Sequence, residues 1–552
     1  MRTGYSRFKN ISARLTASWL ALALLPALSV LTACGTSESN VIQGNRDKIL
    51  HLGNRAEPQS IDPHSVASVY DHQIAWALFE GLITLNPYTL QHEPGVAERW
   101  EFSEGDKVIT FHLNPNARWS NGDPVTAHDF DWSFRRALNP KIASPMVESL
   151  YYIAGAEDYF NGVDTDSLGV TAIDPQTLQI TLKNPTPYFL DILATMAVAY
   201  PVHRPTVEAN GGADVRFSGW TRAETFVGNG PYRLSEWKLQ QHLAVVKNEA
   251  YWGADKLGLE GLIYYPTTNE STEEKMFRTG QLHYTASVPY NKLPSYRAAE
   301  DARLRSHPLA GTGFLAINTH RPPLDQLAVR RALSLAVDRD SLAENVLTGT
   351  VRANARFVPW TLPGFENQVS TAADIEGARA LLAEAGYPNG EGWPGLELSF
   401  PHSGSSRKSA VALQQMWKDA LNIEVTLSSM EWQVYLSNYY ESDYQLAAMG
   451  WVNSYMDAAD SLRQFVTGDP NNTTHFSNAR YDDIMQRLAP QAADRDERLL
   501  LMREAEELML AHLPAIPMYT QASQHLVHPS VRGLPPNPLR YYNFRYVALT
   551  NE

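Results

Sequence analysis

Between Ala372 and Trp451, segments with helical apolar spacing alternate with strand-like apolar runs, and the links between them are short. That alternation constrains the fold more than any other feature, because it builds a sheet with parallel strands covered by helices. The spacing predicts a helix over 372–385, with Ile375, Ala378, Leu381 and Leu382 on one face and a stop at Gly386 before Pro388. Strands follow at 396–400, 423–427 and 444–449, separated by helices at 408–421 and 431–440. Ligands of open α/β sheets bind beyond the carboxyl ends of the strands. Gly450, Trp451 and the loop 452–457 therefore stand where a ligand is expected.

The rest of the chain reads differently. A strand at 49–52 runs into the loop 54–64, punctuated by Pro58 and Pro63, and then into a helix-like pattern at 74–79. Between about 82 and 201 short strands and turns dominate: 108–113 and 177–182 alternate, Asn121-Gly122 marks a tight turn, and 127–138 is amphipathic. This is the pattern of a small α+β domain. From 227 to 307 come a Gly-Asn-Gly-Pro-Tyr turn, a strand at 242–247 and a helix near 272–279 ended by Gly280. Single cores stop growing near roughly 250 to 300 residues, so a chain of 552 residues is expected to divide into two or three domains.

The amino end assigns a compartment. Arg2, Arg7, Lys9 and Arg14 precede an apolar run over 15–31 and then Leu31-Thr32-Ala33-Cys34, the form of a secretory signal (1–33) with a lipoprotein cleavage site. A membrane-spanning anchor is the competing reading. The run, however, is at the short limit of the roughly 18 to 20 residues needed to span, and it carries Pro26. Cys34 is the only cysteine, which excludes a disulfide framework or a cysteine-based site downstream and leaves its thiol for a lipid. Residues 34–47 then read as the lipidated residue and a polar tether. Cleavage before Cys34 removes four basic and no acidic residues, taking the formal net charge from −14 to −18. So acidic a chain is unsuited to binding nucleic acid or to a polybasic membrane contact.

Catalytic signatures are sparse. Ser405 to Lys408 has the Ser-x-x-Lys spacing of a serine hydrolase, but so has Ser235 to Lys238, and the companion Ser-Asp-Asn and Lys-Thr-Gly motifs are missing. The sequence holds no Gly-x-Ser-x-Gly elbow, no phosphate-cradling Gly-Lys-Ser/Thr loop and no His-Glu-x-x-His helix. Its histidines are scattered. His64, His402 and His475 would have to meet in space to hold a metal, and hydrogen-bonded loop histidines are the simpler reading. The expectation is a protein without catalytic residues, metal or cofactor.

Several stretches, in order, carry a resemblance. They are Ser60-Ile61-Asp62-Pro63-His64, Leu78-Phe79-Glu80-Gly81-Leu82, Pro94 to Trp100, and Trp119 to Phe130. Later come Asn229-Gly230-Pro231-Tyr232, Val329 to Leu333, Asp338-Arg339-Asp340 and Leu381 to Tyr387. Over almost the whole chain beyond Cys34 the sequence resembles the oligopeptide-binding proteins of ABC importers. The resemblance implies a bilobed α/β periplasmic-binding-protein fold with an extra α+β domain and a hinge-closing cleft. It implies a discontinuous domain I (48–80, 206–305 and 516–552), a domain II (81–205) and a domain III (306–515). It also implies a monomer that encloses a peptide between domains I and III and delivers it to permease subunits in the inner membrane. A non-peptide cargo, a sensory receptor role and a hydrolase are the alternatives.

Residue by residue, the resemblance places Gly450, Trp451, Asn453 and Ser454 at the cleft, with Asp457 as a charge partner, and adds Tyr519, Met146, Ser287 and Ser406. Asp62, Asp338 and Arg339 are expected to hold loops and helix ends. Two positions depart from the family pattern. The family's amine-binding aspartate, three residues after Gly-Trp, is Ser454 here, and the arginine three before the tryptophan is Ala448. An ammonium left without a carboxylate loses roughly 2 to 5 kcal/mol. The expected cargo is thereby shifted toward blocked or modified peptides, unless Asp457 or Asp460 substitutes.

Overall fold

The computed structural model describes residues 38–66, 68–366, 370–492 and 494–551. Cys34 and the leader lie outside the described residues. Among the described residues no helix is long and apolar enough to cross a membrane.

Three sheets organise three domains. Domain I is built on a four-stranded sheet in the order Ile49–Gly53, Gly261–Tyr265, His242–Lys247, Tyr232–Lys238, whose first pair is parallel. The helix Val69–Leu78 supplies Ile74 and Leu78 to a core shared with Leu50, Leu52 and Tyr264. Domain II is an antiparallel sheet in the order Ala97–Ser103, Val108–Leu113, Thr177–Thr181, Val170–Asp174. Its helix Ala127–Ala137 starts where Thr126 and Asp129 cap each other reciprocally, and Gly122, at φ 94°, closes the turn before it. Domain III holds six strands in the order Arg352–Ala353, Ala515–Leu526, Leu304–Ile317, Leu446–Val452, Leu396–Pro401, Val425–Met430. The last three are parallel and are linked by the helices Gly404–Leu421 and Trp432–Tyr440, the βαβαβ unit expected from the sequence.

Domain III leaves domain I through two long strands, and the second, Ala515–Leu526, lies in the domain III sheet, so the return to domain I comes later than the expected residue 516. Leu304–Ile317 and Ala515–Leu526 pair from Leu304↔Leu526 to Ala316↔Ala515, with the register broken between Pro308 and Thr312. At the domain I end, Thr285 N–H donates to Leu526 O, and the Tyr284 bridges to Leu52 and Val527 continue the path into the first sheet. Domains I and II are stitched differently. Arg136 of the Ala127–Ala137 helix holds Asp62 through both guanidinium nitrogens (3.1 and 2.6 Å), with both side chains 1 % exposed, and a third contact reaches His64 Nδ1 at 2.7 Å. Glu80 is buried at the same seam and accepts from Tyr251, Trp252 and Arg545.

The tether reading needs correction. Residues Asn40–Asp47 are helical, with Ser39 Oγ accepting from Ile42 N–H and Val41, Gly44 and Asn45 buried. The helix docks because Val41 N–H donates to Gly280 O, and because Gly44 lets it lie directly on the sheet. A Cβ at Gly44 would stand 2.4 Å from Ile49 O and 2.7 Å from His283 Cε1. A polar composition concealed an element that only tertiary contact stabilises.

Candidate binding cleft between domains I and III

A cavity of about 1320 Å³ separates domains I and III. Its domain III wall includes the carboxyl ends of the parallel strands. The strand Leu446–Val452 pairs along its whole length with Leu304–Ile317, but on its other side it meets Leu396–Pro401 only at Leu446 and Ala447. From Ala448 onward that edge has no strand beside it among the described residues, although Ala448 O accepts from the Tyr435 hydroxyl at 2.7 Å, and Ala448, Met449 and Gly450 line the cavity. An unpaired strand edge presents backbone N–H and C=O groups that an extended chain can satisfy.

Beside this edge the Tyr519 ring lies over Gly313, where a Cβ would meet Tyr519 Cε2 at 2.3 Å. The Gly404–Leu421 helix begins at the cavity, with Ser403 Oγ accepting from Ser406 N–H (3.1 Å) and donating to Ser406 Oγ (2.8 Å). Ser405 Oγ sits 3.2 Å from Ser403 Oγ, so the hydroxyl of the Ser-x-x-Lys match belongs to the helix cap. On the domain I wall Arg55 pairs with Glu270 at 2.7 Å and donates to Ser287 Oγ at 3.1 Å, which puts Ser287 behind Arg55. Glu273 is wholly buried beneath this pair. Burial pushes its carboxyl up to about 7, against the Ala286 N–H and the Arg55 guanidinium, which favour the ionised form.

Gly450, Tyr519 and Ser406 thus line the cavity, while the loop after the strand turns away from it. Asn453 is buried, donating to Asp457 O (3.0 Å) and accepting from Ser461 Oγ (2.8 Å). Ser454 N–H donates to Asp460 at 2.6 Å. Asp457 is held by both guanidinium nitrogens of Arg498 (2.7 and 3.0 Å) and caps the helix Ala458–Leu462 through Ala459 N–H. Burial pushes the Asp460 carboxyl up to about 6, opposed by Arg463 and the Ser454 N–H. Trp451 and Met146 are half-buried against the apolar core that domains II and III share.

Asp338 caps a short helix through Ser341 N–H, and Arg339 donates to Pro517 O behind Tyr519. His64 is at the seam of domains I and II, His402 lines the cavity, and His475 stacks on His320. Among the described residues no group of three or more His, Cys, Asp or Glu side chains is placed to hold a metal. The sequence reading missed Arg55, Glu57, Tyr70 and Glu270 of the domain I wall and Trp432 and Gln521 of the domain III wall. Arg55 and Glu57 stand in the proline-punctuated loop already singled out, and that loop was the available signal.

Comparison with known proteins agrees with this architecture. The oligopeptide-binding protein OppA of Bacillus subtilis is 31% identical over 526 residues, 92% of this chain and 94% of its own. The probable deoxycholate-binding periplasmic protein YgiS of Escherichia coli is 32% identical over 504 residues, 90% of this chain and 92% of its own. The solved structure of the murein tripeptide-binding protein MppA of Escherichia coli superposes with a TM-score of 0.84 at 31% identity, covering 91% of this chain and 98% of that one. MppA in its unliganded open form gives 0.67 at 30% identity, covering 91% and 97%. The domain arrangement here therefore departs from that open form. The family model of bacterial extracellular solute-binding proteins, family 5, matches residues 91–473, and the chain belongs to that family of binding proteins, which are not enzymes.

Proposed function

We propose that the protein captures a peptide or peptide-like solute by closing domains I and III over it, and hands it to the permease of an ABC importer. The observation that carries this reading is the unpaired edge from Ala448 to Gly450 inside the interdomain cavity. A ligand running along it gains backbone hydrogen bonds whatever its side chains. The names of the relatives support the ligand class: oligopeptides for OppA and a murein tripeptide for MppA. Closure follows the ligand's preference for the closed form and needs no covalent step. The domain boundaries given above, the lipid on Cys34, the monomeric state and the place in the cell envelope are part of the same proposal.

The loop after the strand offers the ligand's amino end no free carboxylate. Asp457 is committed to Arg498 and Asp460 to the Ser454 N–H. Isothermal titration of protein freed of endogenous ligand by unfolding and refolding tests both claims, using matched pools of tri- to pentapeptides with free or acetylated amino ends. The expected result is binding of both pools within a few-fold of each other. Binding of free peptides alone contradicts the amine argument. Binding of neither pool contradicts the peptide reading.

A further inference from the structure

The loop that turns away from the ligand edge makes contacts of another kind. Tyr455 stacks on Tyr188 of domain II with ring centroids 4.9 Å apart and planes 1° from parallel. The Arg498 guanidinium, held by Asp457, lies over the same Tyr188 ring, 5.0 Å from its centroid. Arg463 donates to Glu148 of domain II at 2.8 Å with side chains 8 % and 5 % exposed, and Asn471 donates to the same oxygen at 2.9 Å. These groups come from two domains that share no chain crossing. Domain II is continuous with domain I at both ends and sewn to it by the buried Asp62–Arg136 pair, whereas the chain passes between domains I and III along the two long strands, with surface hydrogen bonds from Gln59 to Gln433 and from Arg297 to Thr348 O beside them. Opening the cleft at those strands therefore parts the seam between domains II and III without breaking the chain.

We propose that the segment from Tyr455 to Arg463 is a closure latch. Tyr455 docks on Tyr188 and Arg463 on Glu148 when the cleft shuts, so this segment sets affinity for every ligand without touching any of them. The proposal rests on the closure reading above. It also gives the loop's acidic residues a use other than ligand recognition. Asp457 orients Arg498 on the Tyr188 ring, and Asp460 fixes Ser454 at the start of the turn. A contact made only in the closed state shifts the open–closed equilibrium, and the apparent dissociation constant of any ligand moves with the populated fraction.

The test uses spin labels at two exposed positions, Lys107→Cys in domain II and Glu384→Cys in domain III, in a chain carrying Cys34→Ser. The Glu148→Gln change leaves Arg463 buried without its counter-charge in the closed form. Its label-to-label distances are expected to lengthen relative to the parent, with and without peptide. Its dissociation constants for a tripeptide pool and a pentapeptide pool are expected to rise by the same factor, about tenfold or more. Tyr455→Leu removes the stack without stranding a charge and is expected to act in the same direction. The double change Glu148→Gln with Arg463→Gln is expected to lie nearer the parent than Glu148→Gln alone. Unchanged distances and affinities in Glu148→Gln and Tyr455→Leu, with only a lower melting temperature, would overturn the latch and make the seam permanent. Longer distances in the variants, with no effect of either peptide pool on any chain, would support the latch and overturn the peptide reading instead.

Discussion

At the scale of single residues, the site depends on which polar groups are already spent. Asp457 looked available from its position after Gly450-Trp451, yet its carboxylate is taken by Arg498 and by a helix cap. Sequence spacing could not reveal this, because Arg498 lies 41 positions along and reaches Asp457 only in the fold. Of the cavity-lining residues, Gly450 was legible from the strand it ends, whereas Tyr519 came only through the family resemblance. Gly313 is the residue that makes room for Tyr519. Gly313→Ala is expected to push the ring into the cavity and weaken peptide binding about tenfold or more, with a cost in stability of roughly 1 to 3 kcal/mol. Calorimetry alongside thermal melting checks both effects. Glu273 carries a pH signature. Burial raises its folded-state pKa from the ordinary carboxyl value of 4.5 to about 7, so the folded protein favours the protonated acid. The stability this gives is full below pH 4.5 and is lost as pH rises through about 7. Glu273→Gln is therefore expected to raise stability at pH 8 by roughly 1 to 3 kcal/mol and to change it little at pH 4. Denaturant melts at the two pH values decide it, and an equal effect at both would refute it.

At the scale of elements, the βαβαβ unit of domain III was readable because its strands are buried runs and its helices carry caps and stops at their ends. The structure moves the helix boundaries by a few residues. The Gly404–Leu421 helix begins four residues before the expected 408, because Ser403 caps it ahead of the apolar spacing. The helix Asn40–Asp47 escaped notice since nothing in its composition separates a docked helix from a tether. Its docking surface contains His51 and His283, with rings 5.7 Å apart. Burial lowers His51 to about 4, and burial together with His51 and His528 lowers His283 to about 3, each from the ordinary imidazole value of 6.5. Folding thus favours the neutral rings. The stability they contribute is full above pH 6.5 and falls away as pH drops toward 4. Gly44→Ala, whose Cβ meets Ile49 O at 2.4 Å, is expected to release the helix at neutral pH. Faster proteolytic clipping between residues 40 and 48 is the readout, and an unchanged clipping rate would count against this docking contact.

For the whole molecule, the fold places a free strand edge in a space that two crossing strands can open and shut. The multidomain plan was legible from length and from the change of pattern near residue 372. The partition of polar contacts among domains was not, since Asp62–Arg136 and Glu148–Arg463 each join residues far apart in sequence. Those pairs divide the labour: the first fixes domain II to domain I, and the second spans the seam that closure makes. The most direct test of the central claim is small-angle X-ray scattering on the refolded, ligand-free chain, before and after saturation with the tri- to pentapeptide pool. The account predicts a smaller radius of gyration with peptide, and a scattering curve that then fits the domain arrangement described above. An unchanged radius at peptide concentrations that saturate the calorimetric signal would contradict capture by closure.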